Sequence, residues 1–338
     1  MIQRTNCSLG PDGLIRSRPE WKRTMRFGSW NIKTIPDKEP ELVQEMKEHK
    51  VGILGLSEVK KKGNGIRKLE DGYTLRFSGV GMDGRAKEGV GIVTSEQWEP
   101  KVSGWKAVNS RIITLRLELE IAVTFIQVYA PTENSTVLET EEFYAELQRT
   151  IDGEEVEGRQ ILLAGDFNAR TGWNKRIAHG CIGNFGGERI LNENGRRLIE
   201  FCIKNQLIIG NSLFRHKEVH KITFEGEGRN TKSIIDYFIY QNTIRRYIMD
   251  VKVIRGAELT TDHRLIVANA RFQKPRKTRI KKIKIIKTKE LQKEEQRKEY
   301  QELIKSKLHI EDEGDERQDL DSMWSSLKKT ILASARTV

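Results

Sequence analysis

Apolar residues come in short runs separated by charged and turn-forming residues, and from Met25 onward these runs alternate with amphipathic stretches. Runs over 25–30, 51–56, 73–77, 90–94, 112–119, 121–129, 161–164, 207–211, 221–224, 234–240 and 265–270 have the length and content of strands. Apolar positions at helical spacing predict helices over 39–49, 140–151 and 196–205. Many strands interleaved with few helices predict an α/β (α+β) domain over 25–272, with two β-sheets packed face to face and helices outside. Residues 1–24 lack an apolar period and read as a loose leader. Past the domain, 273–289 reads as a basic linker containing Pro275. Residues 290–338 read as an amphipathic helical extension, in which Leu320, Trp324, Leu327 and Ile331 form a stripe that needs a partner.

Charge sharpens this picture. The formal net charge is +12, which favours polyanionic partners. Three Arg and seven Lys lie between Arg271 and Lys289 with no acidic residue among them, so that run carries ten of the twelve charges. It is suited to gripping DNA, or RNA, by the backbone or to serving as a nuclear-localisation patch; a solvated linker is the plain alternative. Cys7, Cys181 and Cys202 are far apart and show no CxxC pairing, so neither a disulfide framework nor a zinc site is expected. A signal-peptide run and a membrane-length apolar stretch are both lacking, and a soluble protein of the nucleus or cytoplasm, not secreted, is expected.

Polar residues recur where apolar strands end, and strand ends are where rigid scaffolds present catalytic groups. Six such places stand out: Trp30 with Asn31; Ser57 with Glu58; Gln127 to Pro131; Gly165 to Asn168; Ser233 to Tyr237; and Thr261 to His263. Alone, each has an ordinary reading. Asn31 suits a cap, Glu58 a surface ion pair, Tyr129 a strand-closing aromatic, and Asp262 with His263 a capped loop. Asp166 and Asn168 are harder to dismiss, since flanking Phe167 on an extended chain turns both to one side.

Together and in this order, the six places resemble the endonuclease/exonuclease/phosphatase family, which includes DNase I-like nucleases and AP endonucleases; the resemblance spans roughly 25–270. It implies a four-layered sandwich, two sheets flanked by helices, and Mg²⁺-dependent attack of water on a phosphodiester, with Mn²⁺ as an alternative ion. It further implies that Glu58, Asn31 and Asp262 serve the metal. Asp166 would orient or deprotonate the water, Asn168 and Tyr129 would hydrogen-bond the phosphate, and His263 would face it with Asp236 holding its ring. The resemblance leaves open whether Asp166 or His263 is the base. Some AP-endonuclease relatives carry Asp two residues after the Asn, where this chain has Lys33, which weakens the implication of a second metal or of AP-site preference.

Val128 to Thr132, Leu163 to Ala169 and the spacing from Thr223 to Asp236 are similar to LINE retrotransposon endonucleases of the BovB or craniofacial development protein 2-like group. That implies a DNA-nicking endonuclease of retrotransposon origin. It also implies a hairpin entering the DNA minor groove, with Glu225 to Asn230 as its tip and Thr223, Arg229, Asn230 and Ser233 toward DNA. A mobile hairpin without readout is the alternative. The competing functions are a phosphatase of the same fold acting on a small phosphoester, and a catalytically idle nucleic-acid-binding protein. All eight site residues named above are present, so decay of the site is not visible.

Overall fold

The computed structural model describes residues 7–9, 15–17, 24–226, 232–272, 292–308 and 320–335. The chain divides into two compact units, Met1–Lys274 and Pro275–Val338. The first begins with β1 (Cys7–Leu9) and β2 (Ile15–Ser17), which pair antiparallel, so a short hairpin lies within the stretch expected to be loose. There follow β3 (Met25–Asn31), α1 (Glu39–Glu48), β4 (Ile53–Ser57), β5 (Asn64–Lys68), β6 (Thr74–Ser78), β7 (Val90–Thr94), β8 (Val102–Asn109), β9 (Ile112–Glu118) and β10 (Ala122–Tyr129). The unit continues with α2 (Val137–Val156), β11 (Gln160–Asp166), α3 (Lys175–Ala178), α4 (Glu193–Lys204), β12 (Leu207–Ile209), β13 (Phe224–Glu225), β14 (Lys232–Ser233), β15 (Asp236–Gln241), β16 (Ile248–Ile254) and β17 (Leu265–Ala270).

One sheet has seven strands in the order β16-β17-β3-β4-β7-β6-β5, and the other has six in the order β12-β15-β11-β10-β9-β8. Side chains alternate across a strand, so parity decides which face each residue joins. In β3, Met25 and Phe27 join the core between the sheets, while Trp30 packs in the cluster that holds Leu42 and Met46 of α1. In β11, Leu162 and Ala164 face inward; Ile161 and Leu163 join Phe143, Leu147, Leu198 and Phe201 of α2 and α4. The result is four layers, α1 outside one sheet and α2 with α4 outside the other, as the sequence predicts. Helix α2 starts at a capping box, in which Thr136 Oγ1 accepts from Glu139 N and Thr136 N donates to the Glu139 carboxylate.

The same parity carries polar groups inward at one end of both sheets: Ser29 and Asn31 on β3, Ser57 on β4, Gln127 and Tyr129 on β10, Asp166 on β11 and Asp236 on β15. A buried relay joins the sheets beneath them. Ser29 Oγ donates to Gln127 Oε1 at 3.1 Å, Gln127 Nε2 donates to Ser57 Oγ at 3.0 Å, and Ser57 Oγ donates to Val128 O at 2.9 Å.

Instead of the strand expected over 221–224, a 3₁₀ turn covers Glu218–His220 and β13 begins at Phe224. The second unit holds α5 (Glu294–Leu308) and α6 (Leu320–Ser334), with Tyr300 Oη donating to Ile331 O at 3.5 Å. Along α6, Trp324 is 63% exposed, whereas Leu327 and Ile331 are half-buried on the side that carries the buried Thr330 and Ser334. The basic linker over 273–289 lies outside the described residues. Among those described, no helix is long and apolar enough to cross a membrane.

Candidate active site

Asn31 ends β3 and Asp166 ends β11, and the facing sheets bring them together: Asn31 Nδ2 donates to Asp166 Oδ2 and to Glu58 Oε1, each at 2.9 Å. The Asn31 carboxamide oxygen, expected to face a cation, accepts from Lys33 N at 3.0 Å. Glu58 follows β4 in a left-handed backbone conformation, φ +56°, which turns the chain out of the strand, and its other oxygen lies 3.2 Å from Lys60 Nζ.

Asp236 stands directly opposite Asp166 in the antiparallel β11–β15 ladder. Its Oδ2 lies 3.0 Å from His263 Nδ1, leaving Nε2 of that ring 3.8 Å from Asp166 Oδ2 and 3.9 Å from Asp262 Oδ1. Asp166, Asp236 and His263 are all buried and offer ligand atoms within 4.8 Å of one another, a grouping able to hold a metal ion. The ring is held from several sides. Trp30 Nε1 donates to His263 O at 3.0 Å, Thr261 Oγ1 donates to Asn31 O at 2.8 Å and accepts from His263 N, and Phe224 meets the imidazole edge-on.

Burial, and then the Asp236 carboxylate, push the Asp166 carboxyl up to about 7. Burial alone would depress His263, but the carboxylates of Asp236 and Asp166 outweigh it and raise the imidazole to about 9. Tyr129 is half-buried, and burial followed by the charges of Glu58 and Asp166 drives its phenol upward, so it stays a hydrogen-bond donor. Arg111 braces this tyrosine: its guanidinium lies 5.4 Å from the ring centroid, donates to Tyr129 O at 3.2 Å and pairs with Glu88 at 2.5 Å.

Some expectations change. Asn168 does not extend the strand beside Asp166. Its φ is +48°, its backbone N donates to Asp166 Oδ1, and its carboxamide nitrogen donates to Ala130 O at 2.9 Å, because β11 ends at Asp166 and the chain turns there. Thr223, expected to meet DNA, is fully buried; its hydroxyl accepts from the backbone N–H groups of Ile235 and Asp236 at 3.0 and 3.1 Å, so it positions Asp236 instead. Ser233 is also buried, and its carbonyl accepts from Thr223 N. Glu225, expected in the hairpin tip, lies in β13 and pairs with Arg264 at 3.0 Å. Arg229 and Asn230 lie outside the described residues. Asp262 pairs with Lys33 Nζ at 2.8 Å through Oδ2, while its Oδ1 is buried without a hydrogen-bond partner.

A family model described as endonuclease-reverse transcriptase matches residues 123–267. Craniofacial development protein 2 of Bos taurus is 32% identical over 251 residues, covering 73% of this chain and 41% of that protein. The endonuclease domain of TRAS1, a telomere-specific non-LTR retrotransposon, superposes with TM-score 0.54 at 16% identity, over 74% of this chain and all of that one. The 3′ phosphatase NExo from Neisseria, bound to product DNA hairpin, superposes with TM-score 0.53 at 19% identity over 73% of this chain and 99% of its own.

The fold is that of the endonuclease/exonuclease/phosphatase superfamily, and residues 123–267 carry the family match.

The chain spans less than half the length of the Bos taurus relative. Within the superfamily domain, sequence reading alone assigned no task to Gln127, Thr261 or Arg111. Gln127 carries a recognisable signal, a polar residue at an inward parity position of a strand whose preceding inward residues, Val123 and Phe125, are apolar. Arg111, in the turn before β9, carries none.

Proposed function

We propose that this chain is a Mg²⁺-dependent DNA endonuclease of retrotransposon origin that nicks one strand. The observation that carries the reading is the convergence of Asn31, Glu58, Asp166, Asp236 and His263 within hydrogen-bond or ion-pair reach at one end of two sheets. The net charge of +12 and the likeness to a nuclease domain and to a DNA-bound phosphatase support DNA as substrate.

The donor set fits a hard divalent cation. Carboxylate oxygens predominate, Asp262 Oδ1 is buried without a hydrogen-bond partner, and the Asp236 carboxylate adds to burial in raising the Asp166 carboxyl. Glu58 and Asp262 would hold the ion, with Asn31 beside them. When bound, the ion supplies positive charge against the phosphate and acidifies its water.

The protein groups do the rest. Asp166, at about 7, is matched to accepting the proton of the attacking water near neutral pH. His263, at about 9, is protonated there, and its Nε2–H donates to the phosphate as charge builds on it, while Asp236 fixes the ring through Nδ1. The Tyr129 phenol adds a second donor. Supercoiled-plasmid relaxation tests the reading: wild type should nick with Mg²⁺ and not with EDTA, and Asp166→Ala should abolish nicking. No nicking by wild type in Mg²⁺ would overturn it.

A further inference from the structure

Residues 168–192 run from the catalytic end of β11 to the start of α4, and their surface is not explained by the chemistry above. Trp173 is 64% exposed there, against 1% for Trp30, and Ile190 is 50% exposed. An aromatic ring loses hydrophobic stabilisation in water, so a large exposed one in a firmly held backbone points to a partner.

The backbone here is firmly held. Thr171 bridges Leu191, and a Cβ added at Gly187 would lie 2.1 Å from Gly172 O and 3.1 Å from Trp173 Cα, so the two segments touch through glycine. Arg170 pairs with Glu188, and the other Glu188 oxygen accepts from Ile234 N at 3.2 Å. The tryptophan segment is thereby tied to the residue beside β14, at the base of the hairpin, while Asp166 lies seven residues upstream in sequence. The charge is one-sided. Within 168–192 the sequence sets Arg170, Lys175, Arg176 and Arg189 against one acid, Glu188, which Arg170 already occupies. Arg176, Arg189 and the indole are all exposed on this tied segment, and exposed cations together with an exposed aromatic face suit single-stranded nucleic acid.

We propose that Trp173 is a stacking platform for a base displaced from the DNA helix next to the scissile phosphate, with Arg176 and Arg189 on the adjoining phosphates. This rests on the DNA-endonuclease reading and adds a substrate preference to it. An intact duplex hides its base faces, whereas a duplex with an unpaired base presents one, so the second should bind more tightly.

The test uses the full chain in EDTA, with fluorescence anisotropy on a perfect duplex and on the same duplex carrying one unpaired 2-aminopurine. Wild type should prefer the bulged duplex and quench the 2-aminopurine. Trp173→Ala should weaken binding to the bulged duplex about tenfold and to the perfect duplex little, and Trp173→Phe should keep most of the affinity and the quenching. Equal loss on both duplexes, or no loss on either, overturns the platform. So does a fall in self-association of Trp173→Ala by sedimentation with DNA binding intact, which would make the patch a contact between copies. If wild type nicks plasmid while these variants bind alike, the platform falls and the endonuclease reading stands; if wild type neither nicks nor binds, both fall.

Discussion

Between Asp236 and Asp166 the His263 imidazole sits in a field that an exposed histidine never meets, with Nδ1 3.0 Å from one carboxylate and Nε2 3.8 Å from the other. Its pKa rises from 6.5 to about 9 against the pull of burial, so the carboxylates win. A raised pKa means that protonation favours the folded state: this contribution is full below about 6.5 and is lost as pH climbs through about 9. In EDTA, the His263 Cε1–H resonance should titrate near 9, and Asp236→Asn should bring the midpoint down by about one unit or more. An unmoved midpoint would detach Asp236 from the ring. The pair should also act as one device in turnover. His263→Ala and Asp236→Asn should each slow nicking by about 10²- to 10⁴-fold, and the double variant should be no slower than the worse single one. A double variant that showed the product of both losses would mean that the two residues work separately.

At the scale of strands and helices, short continuous apolar runs made the central strands legible, because both faces of β3, β4, β10 and β11 are covered and their apolar content cannot vary much. The ends of those runs made Asn31, Asp166 and Asp236 legible as polar residues at strand ends, and the structure turns them inward. In the two large sheets, the strands that reading passed over, β5, β8 and β16, are edges. β5 is mostly exposed, and the registers of β8 and β16 are interrupted by bulges, so the apolar period they owe to the core is weak or broken. The buried position of Thr223 was illegible for a different reason: nothing in a Thr-Phe pair says whether the hydroxyl faces DNA or two backbone N–H groups. Glycine at position 55 of β4 belongs to this scale as well. A Cβ there would lie 1.9 Å from Gln127 Oε1, so the relay that ties the sheets together needs the bare backbone. Gly55→Ala should lower the urea midpoint by an amount equivalent to about 1–3 kcal/mol, the usual cost of overpacking. The same substitution should cost much less in a Gln127→Ala background, where the clash is relieved. An equal penalty in both backgrounds would show that Gly55 is needed for something other than room for Gln127.

Over the whole molecule, charge is divided very unevenly. The run from Arg271 to Lys289 carries ten positive charges, and the remainder of the chain carries a net +2, although that remainder contains the entire candidate site. A nearly neutral catalytic domain attracts a long polyanion weakly, so if the chain cuts DNA as proposed, its hold on DNA should come from the run that follows the domain, with the site supplying chemistry more than affinity. Each phosphate neutralised by a Lys or Arg releases condensed counterions and steepens the fall of log affinity with log salt by about 0.9 on duplex DNA. Replacing the seven Lys of the run by Gln should therefore flatten that slope by several such steps and weaken binding at low salt most. Once DNA is saturating, cleavage by the variant should approach the wild-type rate, since none of the replaced residues lies among the site residues. An unchanged salt slope would mean that the run does not touch phosphate and that the domain binds DNA through its own surface, Arg176 and Arg189 included. A flattened slope with turnover lost even at saturation would mean instead that the run takes part in the site.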